Sequence, residues 1–94
     1  MIRWSQPALA DLSDIAAYIA EDNPRAARAW VARLRTRLKR VAEMPRAGRR
    51  VPEYGQDNLR EVLVRSYRIV YRIEPDGIQV LAVIEGHRTP TSLD

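Results

Sequence analysis

The stretch LREVLVRSYRIVYRI, Leu59 to Ile73, decides the fold. Val62, Val64, Tyr67, Ile69, Val70, Tyr71 and Ile73 are residues that favour strands, and Arg60, Arg65, Arg68 and Arg72 are set among them. From Tyr67 to Ile73 the tyrosines and isoleucines fall on odd positions, Arg68 and Arg72 on even ones. A period of two sends these sets to opposite faces of one strand. A strand cannot bury an apolar face alone, so the flanking segments are expected to cover and extend this sheet.

Working outward, strands are predicted at Leu59–Val64, Tyr67–Glu74 and Ile78–Glu85. Arg65-Ser66 forms a tight turn between the first two. Pro75-Asp76-Gly77 forms the next, with Pro presetting φ and Gly supplying positive φ. Arg46 to Asn58 has two glycines, a proline and no period, and reads as a crossing loop. Upstream lie two amphipathic helices. Ser5-Gln6-Pro7 starts the first, whose stripe is Leu9, Leu12, Ile15, Ala16 and Ile19, with Asp11, Asp14 and Glu21 off the stripe. Asn23-Pro24 caps and opens the second, which buries Ala27, Trp30, Val31, Leu34, Leu38 and Val41 and stops at Met44-Pro45. Trp30 belongs to the core and Tyr18 to its rim. Met1 to Trp4 forms a first short strand. The order β-α-α-β-β-β gives one α+β domain over residues 1–94, a helical hairpin packed on a mainly antiparallel sheet.

Charge is unevenly spread. Residues 24–50 carry ten Arg or Lys against Glu43 alone, a net of +9, whereas the segments before and after are mildly acidic. Arg25, Arg28, Arg35 and Lys39 point away from the apolar stripe, with Arg33, Arg37 and Arg40 at its flanks. Such a face attracts polyanions: nucleic acid, a membrane surface or an acidic protein. The absence of Cys excludes disulfides, thiolate zinc sites and a cysteine nucleophile. One histidine, His87, makes a poor metal ligand set. No stretch reaches the length of a membrane span, and the N-terminus lacks a signal-peptide layout. The expectation is a soluble cytoplasmic protein with no cofactor, metal, small-molecule ligand or membrane contact.

The ordered pieces Gln6-Pro7-Ala8 through Pro24, Arg49-Arg50-Val51-Pro52-Glu53, Leu59-Arg60-Glu61, Ser66 to Tyr71 and Val83 to Arg88 (VIEGHR) cover nearly the whole chain. Together they resemble the RelE/ParE toxins of bacterial type II toxin–antitoxin systems, most closely the ParE branch. A RelE-like chain implies a ribosome-dependent mRNA endonuclease, which cleaves RNA through its own 2′-OH with help from a base, an acid and phosphate-binding cations. Under that alternative Arg68 and Arg60 would stabilise the phosphorane, and Glu53 or His87 would move the proton. The lysine pair usual in the second strand is missing here, as is a tyrosine after Tyr71. A ParE-like chain implies a non-enzymatic inhibitor of DNA gyrase, with no catalytic residue. It also implies a cognate ParD-like antitoxin, with DNA reached through the antitoxin complex. Arg28, Arg35, Lys39, Arg60, Arg68 and Arg88 are the expected partner-binding residues. If Arg68 were merely solvated, Glu85 across the sheet would be its acid.

Overall fold

A computed structural model describes residues 1–86. The chain runs β1 (Ile2–Trp4), α1 (Gln6–Asp22), α2 (Pro24–Glu43), a 3-10 turn (Pro45–Ala47), β2 (Arg49–Arg50), β3 (Leu59–Val64), β4 (Tyr67–Glu74) and β5 (Gly77–Glu85). The strands lie in the order β1-β5-β4-β3-β2. Only the β1–β5 pair is parallel. This is the expected α+β arrangement, with β1 at one edge. The crossing loop holds an unpredicted strand, the two-residue β2. It forms because Arg49 and Arg50 pair with Glu61 and Arg60, and so short a strand leaves no period to read.

Both helices begin on side-chain caps. Ser5 accepts a hydrogen bond from the Ala8 amide at 3.1 Å. Asn23 serves both helices. Its N–H donates to the Ile19 carbonyl at the end of α1, and its side chain accepts from the Ala26 amide to open α2. A single residue between the helices therefore satisfies both ends and folds them into a hairpin.

The hairpin covers one face of the sheet. Trp30, Leu34, Leu38 and Val41 of α2 pack with Val62, Val64, Ile69, Tyr71, Ile78, Val80 and Val83 of the strands. The Trp30 ring meets Tyr67 edge-on at 5.2 Å. α1 buries only Ala8 completely, with Leu12, Ile15 and Ile19 partly buried against the same core. Tyr18, expected at the core rim, is 69% exposed. It borders a depression between α1 and the sheet that Ile15, Tyr67, Val83 and Glu85 also line.

A smaller cluster of Val51, Leu59, Val70, Leu81 and Ala82 forms on the opposite face. A register shift in β5 makes this possible: Val70 pairs with Ala82 and Tyr71 with Val80, leaving Leu81 without a partner position. This bulge puts Leu81 and Ala82 together on the far side and returns Val83 to the helix side. The Val83 amide donates to Asp11 Oδ2 at 3.0 Å. Asp11, off the apolar stripe of α1, thus ties that helix to the sheet.

Candidate functional site

The residue that best carries a functional expectation is Arg68. Alternation along β4 sends Tyr67, Ile69 and Tyr71 into the helix-side core and Arg68 to the other face. There Arg68 is buried between two carboxylates. Its Nε donates to Glu61 Oε1 at 2.9 Å, and its Nη1 and Nη2 donate to the two Glu53 oxygens at 3.0 and 2.9 Å. Nη2 also makes a short contact to Glu61. Arg49 donates from the far side through Nε to Glu61 Oε2 at 2.6 Å. The side chains of Arg68 and Glu61 are only 6% and 1% exposed. Hydrogen bonding to Glu53 and then Glu61 holds Arg68 more firmly protonated, and the Arg68 hydrogen bond lowers the Glu53 pKa. The acids on Arg68 thus come from β3 and the crossing loop, whereas Glu85 stands opposite Tyr67 in the register.

Arg60 has a different position. It leaves β3 on the same side as Val62 and Val64, the helix side, so it does not converge with Arg68. Its Nη1 donates to the Arg46 and Gly48 carbonyls, both at 3.0 Å, and its Nε to the Asp57 carbonyl at 2.8 Å. Its Nη2 reaches the Asp57 carboxylate at 2.9 Å. Arg46 and Arg50 bond the same carboxylate, and Tyr71 Oη donates to the Pro45 carbonyl at 2.5 Å. These bonds stitch the crossing loop to β3 and β4.

Hydrogen bonds from Arg46 and Arg50 pull the Asp57 carboxyl down to about 2 from an ordinary 3.8. A depressed acid stabilises the fold above its unfolded value and loses that contribution as pH falls through its folded value. The thermal midpoint of the wild type is therefore expected to drop between about pH 4 and about pH 2. Asp57→Asn should flatten this acid limb, with a residual slope from Glu53, as an acid series of melting curves would report. An unchanged slope would mean that the loop clamp does not form.

The helix residues are placed as the pattern implied. Arg28, Arg35 and Lys39 are exposed. Arg28 and Arg35 border a shallow groove between the helices, floored by alanines such as Ala16, Ala20 and Ala27. Arg35 and Lys39 flank a second depression near Trp4. Of the nuclease set, Glu53 and Arg68 meet, Arg60 lies on the other face, and His87 lies outside the described residues, as does Arg88. Sequence reasoning gave Glu61 no role. A signal existed: a two-residue turn at Arg65-Ser66 aligns Leu63 with Arg68, which puts Glu61 one diagonal step away on the same face. Among the described residues no group of His, Cys, Asp or Glu could hold a metal ion, and no helix is long and apolar enough to cross a membrane.

Comparison with known proteins agrees with this architecture. A structure described as the chromosomal ParDE TA system from P. aeruginosa superposes with a TM-score of 0.70, covering 89% of this chain and 92% of that one. At 21% identity that match speaks for the fold alone. The protein named "Putative toxin Y4kP" from Sinorhizobium fredii (strain NBRC 101917 / NGR234) is 38% identical over 89 residues, spanning 93% of this chain and 88% of its own. The family described as ParE toxin of type II toxin–antitoxin system, parDE, matches residues 2–90. The chain therefore belongs to the ParE toxin family of type II toxin–antitoxin systems.

Proposed function

We propose that this ParE-family toxin works by binding a protein rather than by cutting RNA, with DNA gyrase as its target and a cognate ParD-like antitoxin as its neutraliser. The observation that supports this most is the state of Arg68. A cation that stabilises a phosphorane must face the phosphate. Arg68 faces Glu53 and Glu61 instead, and a phosphate approaching it would meet two carboxylates. Arg60, the second cation of the nuclease set, is held by carbonyls on the other face of the sheet. Both arginines then serve the fold, and the exposed cations of α2, Arg28, Arg35 and Lys39 among them, face the partners. An antitoxin presenting acids would neutralise that face, and its complex would carry the toxin to DNA. A gyrase target places the working compartment in the cytoplasm.

The test is supercoiling of relaxed plasmid by purified gyrase across a titration of this protein. The expected result is loss of supercoiling with accumulation of cleaved plasmid, reversed when the antitoxin is added first. Full supercoiling at concentrations that arrest growth would overturn the reading.

A further inference from the structure

We propose that the basic groove between α2 and the Arg65-Ser66 turn is a track for the phosphodiester backbone of DNA, which this chain contacts directly and without regard to base sequence. The groove encloses about 420 Å³. Its α2 wall is Arg33, Thr36, Arg37 and Arg40, at i, i+3, i+4 and i+7, so the four share one helix face. Arg65 lines it from the turn after β3, and no acid is among its lining residues. All four arginines are exposed, and none forms an ion pair within the described chain. Like charges three and four residues apart on a helix repel one another until an anion covers them.

Arg65 adds a second observation. Among the described residues it is the one non-glycine with a positive φ, +57°. Gly or Asn takes such a position readily, whereas an arginine there carries strain. The turn is held in place, since the Gly86 amide donates to the Ser66 carbonyl at 2.7 Å. A strained arginine that completes a groove of three others points to a ligand rather than to the fold.

The groove also continues. Arg37 and Leu63 line a second depression of about 330 Å³, which runs on to Gly48 and Arg49. The acid beneath it, Glu61, is 1% exposed, and Arg49 covers it with a side chain that is itself 66% exposed. So long a track exceeds what a single phosphate group needs. From Arg33 to Arg40 alone the helix advances about 10 Å, a span that meets two or three successive phosphates of one strand.

A nucleic-acid backbone carries a charge at every residue, whereas an extended polypeptide turns only alternate side chains to one wall. All four cations are arginines, whose planar fork matches two phosphate oxygens at once. Leu63 and Val64 on the opposite wall suit the apolar faces of the sugars. RNA offers the same phosphates. The choice of DNA rests on the gyrase reading, which sets the toxin beside that enzyme's DNA.

The probe is a short fluorescein-labelled DNA duplex of arbitrary sequence, titrated with the full chain by fluorescence anisotropy across a salt series. The expected result is saturable binding whose log–log salt slope is about −3, as three phosphate contacts require. Arg33→Glu, Arg37→Glu and Arg40→Glu together should weaken it about a hundredfold at low salt. Arg25→Glu, Arg28→Glu and Arg35→Glu together change the net charge equally and should cost less than about tenfold, because they leave the groove intact. All six positions are exposed, so both variants should keep the parent's melting curve. Arg65→Asn should weaken DNA binding yet raise the melting temperature, since Asn tolerates the positive φ. Absence of duplex binding would overturn the proposal, as would equal losses in the two triple variants. Tighter binding of the corresponding RNA would also overturn it. So would displacement of the DNA by polyglutamate at a lower charge concentration than unlabelled DNA needs, which would assign the groove to acidic polypeptide. Gyrase is absent from this assay, so failure here leaves supercoiling inhibition untouched, and failure of that inhibition leaves this binding untouched.

Discussion

Arg68→Ala is expected to cost about 3 kcal/mol of stability, the low end of what removing one partner of a buried ion pair costs. The low end applies because Arg49 still reaches Glu61 when Arg68 is gone. The damage is nevertheless large. Glu61, 1% exposed in the wild type, loses one of its two arginines, and Glu53 loses the bidentate partner that holds the crossing loop onto the sheet. In a domain of this size the loss lowers the melting temperature by roughly 12–24 °C. Arg68→Lys should recover only part of it, because an ammonium cannot fork between two carboxylates as a guanidinium does. Arg68→Met combined with Glu61→Leu should recover the share due to Glu61, since no buried charge is then left unpaired there, while Glu53 still lacks its partner. If Arg68 were instead poised for catalysis, its removal would spare stability and abolish activity. Melting curves of the single and double variants separate these outcomes.

Gly77→Ala is expected to be comparably damaging. Gly77 has φ of +149°, a region that L residues avoid, and a Cβ there would stand 1.9 Å from the Met1 carbonyl oxygen. The obstacle is backbone, so no rotamer change relieves it. Backbone strain and overpacking each cost about 1–3 kcal/mol, so a total near 3 kcal/mol is expected. The loss should concentrate on β1. That strand is anchored by the Ile78 amide on the Met1 carbonyl and by the N-terminal amine on the Asp76 carbonyl at 2.8 Å. Hydrogen exchange should show faster exchange at the Ile78 amide while β3–β4 amides stay protected. Uniform protection would mean that the turn adapts.

Much of this fold is legible in single residues. Period two across Tyr67–Ile73, a helical stripe through Trp30, Leu34 and Leu38, and Asn23-Pro24 between two stripes each carry a local signal that packing then agrees with. What could not be read depended on pairing. The β5 bulge moves Leu81 and Ala82 to one face, and nothing in the composition of β5 marks that slip. Asp11 stands off the helical stripe, and no local signal marks its partner, a strand amide 72 residues away. The state of Arg68 was hidden for the same reason. Glu53 comes from an aperiodic loop 15 residues earlier, and only the folded crossing brings it to the guanidinium. An arginine in a strand looks the same in sequence whether it faces a phosphate or two carboxylates.

A protein-binding toxin in which Arg68 is structural would leave mRNA intact. The most direct measurement is primer extension on mRNA carried by translating ribosomes, with the purified protein at a concentration that stops gyrase supercoiling. Full-length mRNA with no new ends is expected, for the wild type and for the Arg68→Met/Glu61→Leu variant alike. New mRNA ends with the wild type, lost in that variant while its fold persists, would contradict it.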